Sequence, residues 1–196
     1  MCILNNKIAV KDIIKCIPNI KYKAYSEKEI KKQFYDWKQG LTFKEKKTIV
    51  LYRFGNLVNS KYSINAKLRK GNLTNRNEDN VKTLSGALKK TSISHNIAVY
   101  RNVAATENEW LSNFNIGDKI QFKDFKGTHV DKFIYSKSAS SYIVFLIPKG
   151  YNCAYVNFWV RIYREKELLI NKESTGTLLK IEKVFNKNCY IIELQN

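Results

Sequence analysis

Proline and glycine are scarce, two and eight in 196 residues, which leaves no room for a Pro- or Gly-rich linker. Histidine is limited to His95 and His129, and the four cysteines (Cys2, Cys16, Cys153 and Cys189) form no CxxC pair. Those absences argue against a zinc site, so no metal is expected. Scattered single cysteines read as packed free thiols rather than a disulfide framework. No apolar run reaches the length of a membrane helix, so no transmembrane segment is expected. The opening MCILNNKIAVKDIIKCI is interrupted by lysines and makes a poor signal peptide. Acid is also in short supply: 17 Asp plus Glu stand against 35 Lys plus Arg, for a net charge of +18. Such an excess attracts phosphate, acidic protein or anionic lipid without choosing among them. The lysines are spread along the chain rather than gathered in a tail, which equally suits plain solubility.

What is present is enough for a folded core. Hydrophobic residues make up 44% and aromatics 13%, a globular composition at single-domain length. Residues 1–25 read as a lead-in, a short amphipathic helix or an extended segment, with any helix ended by Pro18. Residues 26–196 read as one domain. Ser26 with Glu29, and Thr42 with Glu45, are capping-box pairs that start helices. Ile30, Phe34 and Trp37 follow the first at helical spacing; Ile49, Val50 and Tyr52 follow the second. A third helix is expected from Tyr62 to Leu68 and a fourth from about Asn77 to Lys90. The second half is strand-like: Ile97–Val103, Ile120–Phe122, Tyr142–Ile147, Leu168–Ile170, Gly176–Val184 and Cys189–Leu194. Helices first and strands after predict an α+β fold with a mixed or antiparallel sheet.

The stretch Phe145 to Ile170 carries the chemistry. It reads as a buried strand, a Pro-Lys-Gly turn, an aromatic loop, and a second strand opening with Glu165 and Glu167. Residues two apart in a strand share a face, so the two carboxylates stand side by side and Lys166 points away. Like charges so placed raise at least one pKa. The pair suits a site that stabilises a developing cation; it is also what two solvated glutamates on an exposed strand look like.

Several fragments, in one order, give this pair a context. Ile64-Asn65-Ala66-Lys67-Leu68-Arg69 resembles an "IN-x-x-LR" helix. Ala87-Leu88-Lys89-Lys90 and then Ile97-Ala98-Val99-Tyr100-Arg101 resemble an "AL-K-K … VYR" strand entry. Gly117 to Phe125 resembles the "G-x-x-I … F" approach to a Ser-Thr-Ser motif. Ile147-Pro148-Lys149-Gly150, Ala154-Tyr155 and Glu165-Lys166-Glu167-Leu168-Leu169 resemble an "IPKG … AY … ExE-hLL" block. Over residues 26–194 the chain resembles the bacterial mono-ADP-ribosyltransferase exotoxins, the clostridial Rho-modifying exoenzymes and the enzymatic component of iota-type binary toxins.

The resemblance implies N-terminal helices packed on a two-sheet, mixed and antiparallel β core of the ADP-ribosyltransferase type. It implies NAD as substrate. Arg101 would hold the pyrophosphate by paired charge-assisted hydrogen bonds, with Arg69 as a second phosphate contact and Asn65 as a supporting polar group. Glu167 would stabilise the positive charge that builds as nicotinamide leaves, and Glu165 would orient the nucleophile. A glutamate rather than a glutamine at 165 goes with an arginine acceptor, whose guanidinium pairs with a carboxylate as a fork. The loop from Asn157 to Arg164 would read the acceptor, through Trp159, Arg161 and Tyr163. The Ser-Thr-Ser position is taken by Gly127-Thr128-His129, of which Thr128 alone matches; the first serine of that motif braces the catalytic glutamate, and here it is Gly127.

The implied activity is NAD-dependent mono-ADP-ribosylation of an arginine on a target protein, with release of nicotinamide and slow NAD hydrolysis in the absence of acceptor. It would be exerted by a monomer secreted or delivered into a target-cell cytoplasm. Transfer to nucleic acid, which the basic charge would favour, and a non-catalytic binding module of the same fold are the alternatives.

Overall fold

The computed structural model describes residues 7–9, 21–58, 64–130, 132–134, 136–158 and 166–195. Among the described residues, five helices precede the strands of the main sheet. Glu27–Gln33 (α1) begins at a complete capping box: the Ser26 hydroxyl accepts from the Glu29 amide, and the Glu29 carboxylate accepts the Ser26 amide at 2.8 Å. Phe34, fully buried, joins α1 to Tyr35–Gly40 (α2). Phe43–Val58 (α3) opens on the same device, with the Thr42 amide donating to Glu45 at 2.9 Å. Ile64–Lys70 (α4) ends at Gly71, whose φ of +66° suits a residue without a side chain. Asn75–Lys89 (α5) buries Val81, Leu84, Ala87 and Leu88 at helical spacing. Lys90 then pairs with Glu45 at 2.7 Å, and Trp37 donates its indole N–H to the Ala87 carbonyl, tying α2, α3 and the end of α5 together.

The strands follow, broken by one further helix, Ala105–Leu111 (α6). They are Ile97–Val103 (β2), Lys119–Phe122 (β3), Lys126–His129 (β4), Lys132–Ile134 (β5), Ser141–Ile147 (β6), Cys153–Tyr155 (β7), Glu167–Ile170 (β8), Ser174–Val184 (β9) and Lys187–Gln195 (β10). In the lead-in, expected as a short helix or an extended segment, three residues are described, and they are extended. Lys7–Ala9 is a strand (β1) and pairs antiparallel with β5, because pairing with a strand elsewhere in the chain overrides the local helical spacing. The rest of residues 1–20 lies outside the described residues.

The main sheet is mixed, ordered β3-β9-β10-β6-β2-β4-β8-β7, with β10 parallel to β6 and the other neighbours antiparallel. It has two parts. β3, β9, β10, β6 and β2 form one, β4, β8 and β7 the other, and the pair Tyr100↔His129 joins them. Every residue of β6 is buried, and its side chains alternate between two cores. Ile143, Phe145 and Ile147 join the core beneath the helices, while Tyr142, Val144 and Leu146 join a smaller one closed by Tyr22, Leu179 and Phe185. A central strand covered on both faces reads as a continuous apolar run. Cys153 and Cys189 are buried free thiols.

Candidate active site

Glu167 is the first residue of β8, where the strand leaves the loop and enters the ladder with β4. The Arg53 Nε, on α3, donates to Glu167 Oε2 at 3.1 Å; the Arg53 side chain is 2% exposed and the glutamate side chain 13%. The Arg53 Nη1 donates to Asn157 Oδ1 at 2.6 Å. On the other side of the carboxylate lies Gly127. A Cβ added to Gly127 would stand 2.4 Å from Glu167 Oε1, closer than side-chain atoms approach one another. The carboxylate thus fills the space that a serine, or any other side chain, at 127 would need.

Arg101, on β2, reaches the same place through the backbone. Its Nη1 donates to the Gly127 carbonyl at 2.9 Å, and its Nε and Nη2 donate to Glu107 Oε2 at 3.3 and 3.2 Å. From there a chain of ion pairs runs through buried side chains. Glu107 meets Lys126 at 2.5 Å, Lys126 meets Asp124 at 2.8 Å, and Asp124 accepts from the half-exposed Arg69. Burial would raise the Glu107 pKa, but Arg101 and Lys126 outweigh it and hold the carboxyl down at about 2. Burial likewise opposes the charge on Arg101, and Glu107 and Asp124 more than restore it.

These groups line a cavity of about 430 Å³ together with Ala104, Trp110, Phe122 and Lys123. Arg69, Arg101, Lys123 and Lys126 face two carboxylates, Glu107 and Asp124, so the wall carries an excess of positive charge. An anion of two charges matches that excess. Glu167 is not part of this wall. The link between cavity and carboxylate is Arg101, which touches Glu107 on one side and the residue beneath Glu167 on the other.

The remaining expected site residues fall as follows. The Asn65 side chain is buried against backbone: its amide donates to the Phe125 carbonyl at 2.8 Å and accepts from the Phe125 N–H at 3.2 Å, and it donates to the Tyr52 hydroxyl at 3.0 Å. It fastens α4 to the start of β4. Thr128 is fully buried and its hydroxyl donates to the Leu168 carbonyl at 2.8 Å, across the β4–β8 pair. His129 stands opposite Glu167 in the ladder, its ring against Tyr100 with centroids 5.2 Å apart. Burial, and then the nearby Arg101 charge, push its pKa down to about 4, so it is neutral at physiological pH. Glu165, Trp159, Arg161 and Tyr163 lie outside the described residues. Among the described residues no cluster of His, Cys, Asp and Glu is placed to hold a metal ion, and no helix is long and apolar enough to cross a membrane.

Residues 27–196 match the ADP-ribosyltransferase exoenzyme family. The chain belongs to that family. Among solved structures, this exoenzyme-family chain is similar to the C3 exoenzyme of Clostridium limosum, with a TM-score of 0.73 at 16% identity over 90% of this chain and 98% of that one. It is also similar to Plx2a, an ADP-ribosyltransferase toxin from Paenibacillus larvae, with a TM-score of 0.72 at 20% identity over 87% and 94% of the two chains. At those identities the likeness is one of fold. In sequence, it is 30% identical over 112 residues to the NAD(+)–arginine ADP-ribosyltransferase EFV of Enterococcus faecalis. That alignment takes in 53% of this chain and 22% of the relative, so the chain spans about a fifth of that protein's length.

Several site residues of this exoenzyme-family chain escape a reading of its sequence. Arg53 follows Ile49 by four positions and so sits on the apolar stripe of α3, where a cation needs a partner; that spacing was the available signal. Glu107 lies on a seven-residue helix whose Ala104 N-cap makes no side-chain capping bond, so nothing marks the helix start. Lys126 and Asp124 are each buried by pairing with the other, which no local pattern announces.

Proposed function

We propose that this chain transfers ADP-ribose from NAD to an arginine of a target protein and releases nicotinamide. The observation that carries the reading is the short path Glu167–Gly127–Arg101, which sets a held carboxylate beside a cavity with cationic walls. NAD brings a pyrophosphate of two charges. Arg101 and Arg69 are the forks that would take it, exchanging part of their pairing with Glu107 and Asp124 for phosphate oxygens. Breaking the C–N bond to nicotinamide builds oxocarbenium character on the ribose. A fixed carboxylate stabilises that charge electrostatically, which is the part assigned to Glu167. Glu165 would orient the incoming guanidinium and take its proton, and the loop carrying Trp159, Arg161 and Tyr163 would read the acceptor. Without acceptor, water takes its place and NAD is slowly hydrolysed.

The arginine acceptor rests on Glu165 and on the printed activity of the Enterococcus faecalis relative. We further propose delivery into a target-cell cytoplasm, action as a monomer and a reaction that needs no metal.

The test is incubation with labelled NAD and, in parallel, cell lysate, DNA or RNA. Label on protein that resists neutral hydroxylamine would overturn the arginine reading. Label on nucleic acid would replace the protein-acceptor reading with one that the +18 charge favours. Glu167→Gln should abolish transfer and hydrolysis while NAD still binds; transfer retained in that variant would end the assignment. No hydrolysis and no NAD-dependent thermal shift in the unaltered protein would mark a binding module instead.

A further inference from the structure

We propose that Arg53 is the positioning residue for Glu167, and that Gly127 is glycine because the carboxylate held by Arg53 occupies the volume of a side chain there. The inference rests on the catalytic part assigned to Glu167, and the experiment below separates the two.

Three observations carry it. First, the Arg53 guanidinium is almost fully buried and is directed at two acceptors, Glu167 Oε2 at 3.1 Å and Asn157 Oδ1 at 2.6 Å. A buried guanidinium is retained in a fold when its donors are met, and a fork that meets two acceptors fixes both in direction as well as distance. Second, the opposite oxygen, Glu167 Oε1, lies 2.4 Å from where a Gly127 Cβ would stand. The arginine on one side and the missing side chain on the other define one orientation of the carboxylate. Third, Arg101 directs Nε and Nη2 at Glu107 and Nη1 at the Gly127 carbonyl. Arg101 therefore holds the floor of the site, and Arg53 holds the carboxylate above it.

Asn157 adds a consequence. It is the first residue of the loop that runs to Arg164, read from the sequence as the acceptor-recognising segment. The guanidinium that orients Glu167 also grips the root of that loop. Arg53 thus joins the charge-stabilising carboxylate to the segment that meets the acceptor.

The variants are Arg53→Met, which keeps the stem and removes the charge, Arg53→Lys, which keeps the charge and removes the fork, and Asn157→Ala, which releases the loop root alone. Two readouts are needed. One is the Glu167 carboxyl titration by carbon-13 NMR, which needs no activity; the other is the pH profile of NAD hydrolysis with kcat and KM separated. Tyr52, His129 and Arg101 face the same region and are unchanged in all three variants. Loss of an adjacent positive charge should move the Glu167 midpoint up by about one unit or more in Arg53→Met, with the acid limb of hydrolysis moving alike. A lost orientation should lower kcat by about 10²-fold with KM little changed. Arg53→Lys should keep the midpoint and still lose kcat, and Asn157→Ala should lose transfer to protein more than hydrolysis.

An unmoved Glu167 midpoint in Arg53→Met, or an unchanged kcat in both Arg53 variants, overturns the proposal. Should Arg53→Met fail to fold by near-ultraviolet circular dichroism, Arg53→Lys decides alone: full kcat in that variant overturns it. Should the unaltered protein prove unable to hydrolyse NAD, the functional reading falls, and the titration still decides whether Arg53 holds Glu167.

Discussion

Restoring a serine at position 127 should harm this protein, although the resemblance casts serine there as a brace for the catalytic glutamate. The added Cβ would meet Glu167 Oε1 at 2.4 Å, about 1 Å inside ordinary van der Waals contact. The atom that must give way is the end of a flexible side chain, so the backbone of β4 can stay and the carboxylate must turn. Turning it disturbs the 3.1 Å bond from a guanidinium that is 2% exposed. Removing a partner outright from a buried pair costs about 3–5 kcal/mol. A pair that is displaced and partly re-formed should cost less, about 1–3 kcal/mol as for other overpacked sites. In a domain of this size that is a fall in Tm of roughly 2–12 °C. A carboxylate displaced by about 1 Å should slow NAD hydrolysis on the order of 10²-fold. The assays are thermal unfolding followed by circular dichroism and steady-state NAD hydrolysis, on Gly127→Ser and on Gly127→Ala as the control that adds the Cβ without a hydroxyl. Both variants should fall together. An unchanged Tm and rate in Gly127→Ala would refute the steric reasoning, and a Gly127→Ser faster than the natural protein would show that the hydroxyl outweighs the space.

Other outcomes follow from the same geometry. His129 is held neutral with a pKa of about 4, so the unfolded chain binds its proton first and stability should fall as pH drops from about 6.5 to 4, by at most about 3 kcal/mol; urea midpoints at pH 7.5 and 4.5 should differ less in His129→Gln. Below about pH 4.5 the depressed Glu107 adds a second loss in the same direction, continuing to about pH 2, and Glu107→Gln should flatten it. Gly176→Ala would place a Cβ 2.7 Å from Ile192 Cγ2 and 2.8 Å from the Glu193 carbonyl, backbone that cannot turn aside, and should destabilise by about 1–3 kcal/mol in a denaturant melt. Asn65→Ala would leave the Phe125 N–H and C=O unmet in a buried place and should cost about 2–4 kcal/mol of stability; if its part were only to touch NAD, stability would not change.

The parts of this fold that can be read from the sequence are those with local chemistry. The Ser26–Glu29 and Thr42–Glu45 boxes mark two helix starts because both partners lie within four residues. The long apolar strand Ser141–Ile147 announces itself because both its faces are covered. β4 hides for the opposite reason: its first buried residue is Lys126, tolerated by ion pairs to Glu107 and Asp124 that come from elsewhere. β1 hides because its partner is 123 or more residues away in the chain. At the candidate site, the ordered fragments of the sequence single out Glu167 and Arg101. Arg53 is legible only as a cation on the apolar stripe of α3, and its partners Glu167 and Asn157 lie more than a hundred residues away in the chain.

The sheet's two parts meet at a single rung, Tyr100↔His129. Arg101 is the next residue along one rail and Glu167 stands across from His129 on the other. A rung of one pair fixes distance but little of the angle between rails. The angle at which Arg101 faces the carboxylate is therefore set by side-chain ties, chiefly its bond to the Gly127 carbonyl. Altering one tie at this pivot would re-aim Arg101 against the carboxylate while both halves of the sheet keep their own pairing intact.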